Sequence, residues 1–172
     1  MWIWQWAKSR SKENPFGVPV RNFAKVDDRL YRGALPDLEG LRAMHDRLGV
    51  DTVINLVPGD RDHDRRAALE AGIDDWWHIG FSDREAPDPE LVRTWLRAVR
   101  TSKSPHVYFH CKGGRHRTGM LVAVWRVLEH RWPKERAFEE MKVYGWYAAL
   151  GHGPLKKWFF EEFDPDHYRE DS

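Results

Sequence analysis

Apolar residues recur along this chain with two periods. Leu38, Leu41, Met44 and Leu48 recur three or four residues apart, the stripe of an amphipathic helix over Leu38–Leu48. The run VDTVINLV (50–57) is β-branched and bounded by Gly49 and Pro58-Gly59, which predicts a buried strand. The same signals predict strands at DRLYRG (28–33), DDWWHIG (74–80) and HVYF (106–109). A short polar helix is expected over 61–72, closed by Gly72. FSDREAPD (81–88) reads as a loop. Asp88 and Pro89 then read as the N-cap and first residue of a helix running to about Thr101, with Leu91, Trp95, Leu96 and Val99 inward. TGMLVAVWRVLEH (118–130) is apolar nearly all round, so it predicts a helix deep in the core. Pro133 opens a further helix closed by Gly145, and a last one is expected from Pro154 to about Phe163.

This alternation predicts a single α/β domain with a mainly parallel central sheet flanked by helices. Residues 1–19 read as an aromatic and basic lead-in, and 20–172 as the domain. In such sheets ligands bind beyond the carboxyl ends of the strands. The segment HCKGGRHRTG (110–119), which holds the one cysteine of the chain, sits at such an end.

Composition narrows the picture. The 172 residues suffice for one core, and 41% hydrophobic with 32% charged residues describe a globular chain. A net charge of +1 lacks the basic excess of a nucleic-acid protein, so no nucleic-acid partner is expected. One cysteine fits a reducing compartment such as the cytoplasm. No apolar run approaches the roughly 20 residues of a membrane span. Trp2, Trp4 and Trp6, followed by Lys8, Arg10 and Lys12, carry the chemistry of a peripheral membrane contact, and equally that of packing on the domain's own surface.

Strand, glycine-bearing loop and buried helix together form an anion site. Backbone N–H groups and a helix N-terminus converge on one point. Gly113 and Gly114 allow the tight turn, and Arg117 can hold two phosphate oxygens at once. The field that binds an anion also favours the thiolate, so Cys111 is the candidate nucleophile. Thr118 can stabilise the sulfur as a leaving group. Lys112, Arg115 and His116 complete the phosphate-binding loop.

His-Cys, five residues, then Arg-Thr-Gly resembles the signature of the cysteine-dependent protein tyrosine phosphatase superfamily, and its compact, atypical dual-specificity branch most of all. Residues 22–56 are similar to that branch's N-terminal strand, helix and strand, so the likeness covers roughly 22–152. The resemblance implies hydrolysis through a phosphocysteine on Cys111, with no cofactor or metal. Arg117 and the loop amides would hold the transferred oxygens, and His110 would support the geometry and acidity of Cys111.

Such chemistry needs a carboxylic acid nearby to protonate the leaving group. The 81–88 loop offers Asp83, Glu85 and Asp88. Capping occupies Asp88, and IGFSD (79–83) fits the family's apolar-x-x-x-Asp pattern, which favours Asp83. The substrate is expected to be a phosphorylated protein, with an inositol polyphosphate or phosphoinositide as the alternative suggested by Lys112 and Arg115. Trp76, Trp77, Phe81, Trp146 and Tyr147 are candidates to wall a phosphotyrosine cleft. A rhodanese-type sulfurtransferase and a catalytically inactive phosphate-binding module are the more distant readings.

Overall fold

The computed structural model describes residues 12–147 and 151–169; Trp2, Trp4 and Trp6 lie outside the described residues. Five strands form one sheet: β1 (Ala24–Lys25), β2 (Leu30–Gly33), β3 (Val50–Asn55), β4 (Asp75–His78) and β5 (His106–His110). Their order is β1-β2-β5-β3-β4, with β1 antiparallel to β2 and every other pairing parallel. The two-residue β1 has no hydrophobic alternation to betray it, and the sequence pattern passes over it.

Alternation along the strands builds two cores. Leu30, Ile54, Val107 and Phe109 face one side; Tyr31, Val53 and Tyr108 face the other. Helices α1 (Leu38–Leu48) and α2 (Asp62–Glu70) cover the second side. Asp37 caps α1, its carboxylate accepting the Gly40 N–H at 2.9 Å. Phe16 and Val18 pack into this same cluster, so the chain joins the fold before Pro19.

The first side is covered by α3 (Pro89–Thr101), α4 (His116–Glu129) and α5 (Lys134–Val143). Asp88 caps α3, accepting the Glu90 N–H at 2.7 Å. Trp95, Leu96 and Val99 are buried as the pattern predicts, Leu91 is half-buried against the same core, and Val92 and Ala98 join the buried face. Fully buried Trp95 packs edge-on against Trp125 of α4 and tilted against Phe109 of β5. A paired Arg126–Glu140 contact (2.9 and 2.7 Å) ties α4 to α5.

The C-terminal segment departs from a single helix. Gly153–Lys157 is one α-helical stretch (α6), and Trp158–Glu162 widens to a π-helical turn closed by Phe163 N–H donating to the Trp158 carbonyl at 2.8 Å. The wider turn lets Trp158, Phe159 and Phe163 all enter the core. A short α7 (Asp166–Arg169) follows.

The register sets the position of the functional end. Gly33 lies opposite His110, His110 opposite Asn55, and Asn55 opposite His78. All four parallel strands therefore end at one level, and the loops after them share one edge. At that edge Gly114 (φ +66°) passes so close to β2 that a β-carbon would lie 2.6 Å from the Gly33 carbonyl carbon and 2.8 Å from Ala34 N. Gly114→Ala should lower stability by about 1–3 kcal/mol through left-handed strain and this backbone clash, read as a lower urea midpoint, and should abolish orthovanadate binding. An unchanged midpoint with intact binding would contradict the geometry.

Candidate active site

Cys111 follows the last residue of β5, and α4 begins at His116, two residues earlier than the apolar pattern suggests. Between them the chain makes a tight loop, three of whose carbonyls are held from outside. The Lys112 carbonyl accepts Leu35 N–H at 3.3 Å, the Gly113 carbonyl accepts Asn22 Nδ2 at 2.9 Å, and the Gly114 carbonyl accepts Arg32 Nη2 at 2.5 Å. In a planar trans peptide the N–H points opposite to the carbonyl. Turning these three carbonyls outward therefore turns the N–H groups of Gly113, Gly114 and Arg115 inward.

Arg32 is 1% exposed and lies 4.0 Å from the centroid of the Tyr144 ring. It has no carboxylate partner among the described residues, and its Nε and Nη1 are buried without hydrogen bonds. Burial lowers its pKa, while Tyr144, Glu140 and Cys111 support its charge. So a cation sits beneath the loop as well as in front of it. Tyr108 lies beside it, wholly buried, its hydroxyl donating to the Ala34 carbonyl at 2.5 Å and so fixing the loop after β2.

Cys111 is 2% exposed. Burial on its own raises a thiol's pKa. Here that effect is outweighed by the Arg117 charge, the Thr118 hydroxyl and the backbone N–H groups of Thr118 and Arg115, and the net shift is downward. The Thr118 hydroxyl is buried with no hydrogen-bond partner, and it is one of the groups that lower the Cys111 pKa. Arg117 is also buried. Its Nη1 donates to the carbonyls of Leu56 (3.3 Å) and Phe81 (3.2 Å), fixing the plane of the guanidinium, while its Nε has no partner. His110 is 1% exposed, stacked on Tyr108 at 5.6 Å, and its Nδ1 lies 3.4 Å from the Cys111 carbonyl. Burial pushes its pKa down to about 4, so the ring is neutral at pH 7.

Cys111, Lys112, Gly113, Arg115, His116 and Arg117 line a cleft of about 750 Å³. Asp83, Arg84, Arg21, Tyr147 and His152 complete it. Of the three acids of the 81–88 loop, Asp83 is the one in this cleft, and Asp88 is occupied as a cap. Lys112, Arg115, Arg84 and Arg21 make no ion pair among the described residues. Of the five candidate wall aromatics, only Tyr147 lines the cleft. Trp146 and Phe81 are buried in the core, and Trp76 lines a separate groove of about 390 Å³ between α1 and α2. Trp77 flanks another, beside Asp75. Tryptophan indoles filled interior space in preference to the wet cleft. Sequence reasoning missed Arg21, Asn22, Arg32, Arg84 and His152. Arg32 lies within the DRLYRG strand, and a charged residue in a strand of that pattern was the available signal.

The site combines a thiol of lowered pKa in a ring of inward N–H groups, a fixed guanidinium and a carboxylate across a basic cleft. The sequence model described as "Tyrosine phosphatase family" matches residues 17–172, and the chain belongs to that family. It is 31% identical over 124 residues to the dual specificity protein phosphatase TpbA of Pseudomonas aeruginosa, covering 72% of this chain and 55% of TpbA. It is 26% identical over 153 residues to the inositol diphosphatase SIW14 of Saccharomyces cerevisiae, covering 87% of this chain and 53% of SIW14. The chain thus spans about half the length of these curated relatives. The fold superposes on the core catalytic domain of SIW14 with a TM-score of 0.74 at 24% identity, over 88% of this chain and 91% of that one. It superposes on TpbA in complex with pTyr at 0.70 and 25% identity, over 92% and 93%.

Thr118→Val, which keeps shape and removes the hydroxyl, should raise the pH midpoint of Cys111 alkylation by iodoacetamide by about one unit, the worth of one hydrogen bond to a charged sulfur. Because the lowered thiol pKa favours thiolate, the wild-type protein should alkylate at lower pH than a free thiol. Stability should be unchanged or slightly higher, since a buried unpaired hydroxyl is removed. An unmoved alkylation midpoint would separate Thr118 from the sulfur.

Proposed function

We propose that this protein is a phosphatase that hydrolyses phosphomonoester or diphosphate bonds through a phosphocysteine, and that its substrate is a small, multiply phosphorylated anion of the inositol polyphosphate class. Cys111 attacks phosphorus as the bond to the leaving oxygen breaks. The N–H groups of the loop and the Arg117 Nε and Nη2 take up the charge on the transferred oxygens, a geometry that asks for position and charge rather than further covalent chemistry. Asp83 gives a proton to the leaving oxygen. As carboxylate it then takes a proton from the water that attacks the phosphocysteine, and the sulfur departs as thiolate stabilised by Thr118.

The observation that carries the substrate class is the lining of the cleft. Five cationic side chains (Arg21, Arg84, Lys112, Arg115 and Arg117) face one carboxylate and one partly exposed aromatic ring. One phosphate occupies Arg117 and the loop, which leaves four cations for further phosphates. A phosphotyrosine side chain would meet a single aromatic wall, Tyr147. This lining supports the inositol reading over the phosphoprotein one. The likeness to the inositol diphosphatase SIW14 supports it, and the likeness to TpbA keeps phosphotyrosine as the competing outcome.

Initial rates on inositol polyphosphates, phosphotyrosine peptides and phosphoserine peptides test the choice. The inositol substrates should show the highest kcat/KM. Lys112→Ala and Arg84→Ala should each raise KM for them about tenfold with kcat little changed, as expected when binding shared by ground and transition states is lost. Faster turnover of the phosphotyrosine peptides would reverse the assignment. Asp83→Asn should lower kcat by about 10²–10³-fold, the usual weight of a general acid, with KM nearly constant. If Glu85→Gln has that effect and Asp83→Asn does not, the acid is misassigned.

A further inference from the structure

Asp83, His116 and His152 bring three metal-type donor atoms within 4.8 Å of one another, from positions far apart in sequence. The two imidazoles, however, are stacked, with centroids 3.5 Å apart and planes 10° from parallel. An ion midway between them would lie out of both ring planes, away from the nitrogen lone pairs, and Arg84 and Arg115 line the same cleft. The cluster is arranged for a different purpose.

The 81–88 loop has little to hold its tip. Phe81 is anchored by its N–H to the Leu56 carbonyl (3.4 Å) and by its carbonyl to Arg117, and Asp88 is anchored as the α3 cap. From Ser82 to Pro87 the hydrogen bonds among the described residues are two. One is local, Arg84 N–H to Ser82 Oγ. The other leaves the loop: His152 Nδ1 lies 3.1 Å from the Asp83 carbonyl. A carbonyl can only accept, so Nδ1 carries the hydrogen. The same nitrogen lies 3.8 Å from Asp83 Oδ2.

His152 is itself firmly placed. It is 6% exposed, stacked on His116, and met edge-on by the Tyr147 ring at 5.4 Å; Tyr147 meets His116 edge-on at 4.5 Å. His116 is the first residue of α4 and part of the phosphate loop. The Asp83 backbone is thus referenced, through one imidazole and one ring stack, to the loop that holds the phosphate.

We propose that His152 is a positioning residue that fastens the Asp83 loop to the phosphate loop and so sets the reach of the Asp83 carboxyl toward the leaving oxygen. This rests on the reading of Asp83 as the acid. His152 exchanges no proton with substrate. It donates to the Asp83 carbonyl throughout, and the proton delivered to the leaving oxygen comes from the Asp83 carboxyl as the P–O bond breaks and the S–P bond forms.

A positioned acid matters most where the leaving group is poor, and this separates placement from general damage. The test measures kcat and KM for p-nitrophenyl phosphate and for phenyl phosphate in four proteins: wild type, His152→Leu, His152→Asn and Asp83→Asn. Orthovanadate affinity and thermal midpoint report on the loop and the fold. His152→Leu fills the space without a donor. It should lower kcat on phenyl phosphate at least tenfold and on p-nitrophenyl phosphate less than threefold, with KM and vanadate affinity nearly constant. His152→Asn keeps a donor near the position of Nδ1 and a fold-compatible size, and should recover part of the loss. Equal losses on both esters, no loss on either, or no recovery in His152→Asn would overturn the proposal. If Asp83→Asn discriminates between the esters and His152→Leu does not, the positioning role alone has failed. If Asp83→Asn does not discriminate, the acid assignment has failed and the proposal with it.

Discussion

The site depends on the outward orientation of three consecutive carbonyls. Lys112, Gly113 and Gly114 each hand their carbonyl to a donor on a different element: Leu35 after β2, Asn22 before β1, and Arg32 within β2. With those bonds made, the N–H groups have one direction left. Two of the three donors, Asn22 and Arg32, are themselves buried. Asn22 shows the demand most plainly. It takes φ +54°, unusual for a residue with a side chain, and its amide reaches both Gly113 and Tyr144. Preorganisation of this kind means that donors do not have to reorient when charge develops on the transferred oxygens.

Electrostatic cost is concentrated in the same place. Arg32 is buried without a carboxylate, and Arg117, Thr118 and His116 each keep a buried polar atom unpaired. Folded proteins tolerate few such atoms, since each forfeits hydration. Here they crowd around one sulfur. In its ionised form the Cys111 sulfur is a counter-charge to both arginines, which ties the stability of the loop to the ionisation of Cys111. Burial would otherwise favour the neutral thiol, and the two effects oppose each other at a single atom.

Much of this was legible in the sequence, for reasons that differ from element to element. Helix α1, with its Leu38–Leu48 stripe, and α3, with its Asp88 cap, lie where periodicity and capping chemistry placed them. The phosphate loop was legible because its requirements are local: glycines, a cysteine and an arginine at fixed spacing on ten consecutive residues. What could not be read is what assembles across distance. Arg32 and Gly114 are 82 positions apart, and His152 and Asp83 are 69. No local pattern signals such a contact. The aromatic residues misled for a related reason. Burial of an indole is decided by the neighbouring elements, and four of the five candidate wall residues face the core or other grooves. The π-helical turn likewise answers to the space around Trp158 and Phe163 rather than to any feature of its own sequence.

The side chains of Lys112, Arg84 and Arg21 reach into the cleft without bonding to the scaffold among the described residues, whereas the phosphate-loop backbone is held through the carbonyls of Lys112, Gly113 and Gly114. Chemistry and selectivity are therefore carried by separable parts of one loop cluster. A lineage can exchange the rim residues without disturbing the thiolate, the inward amides or the sheet edge. The same apparatus can then pass from one phosphorylated compound to another by drift at a few exposed positions, with reactivity inherited intact.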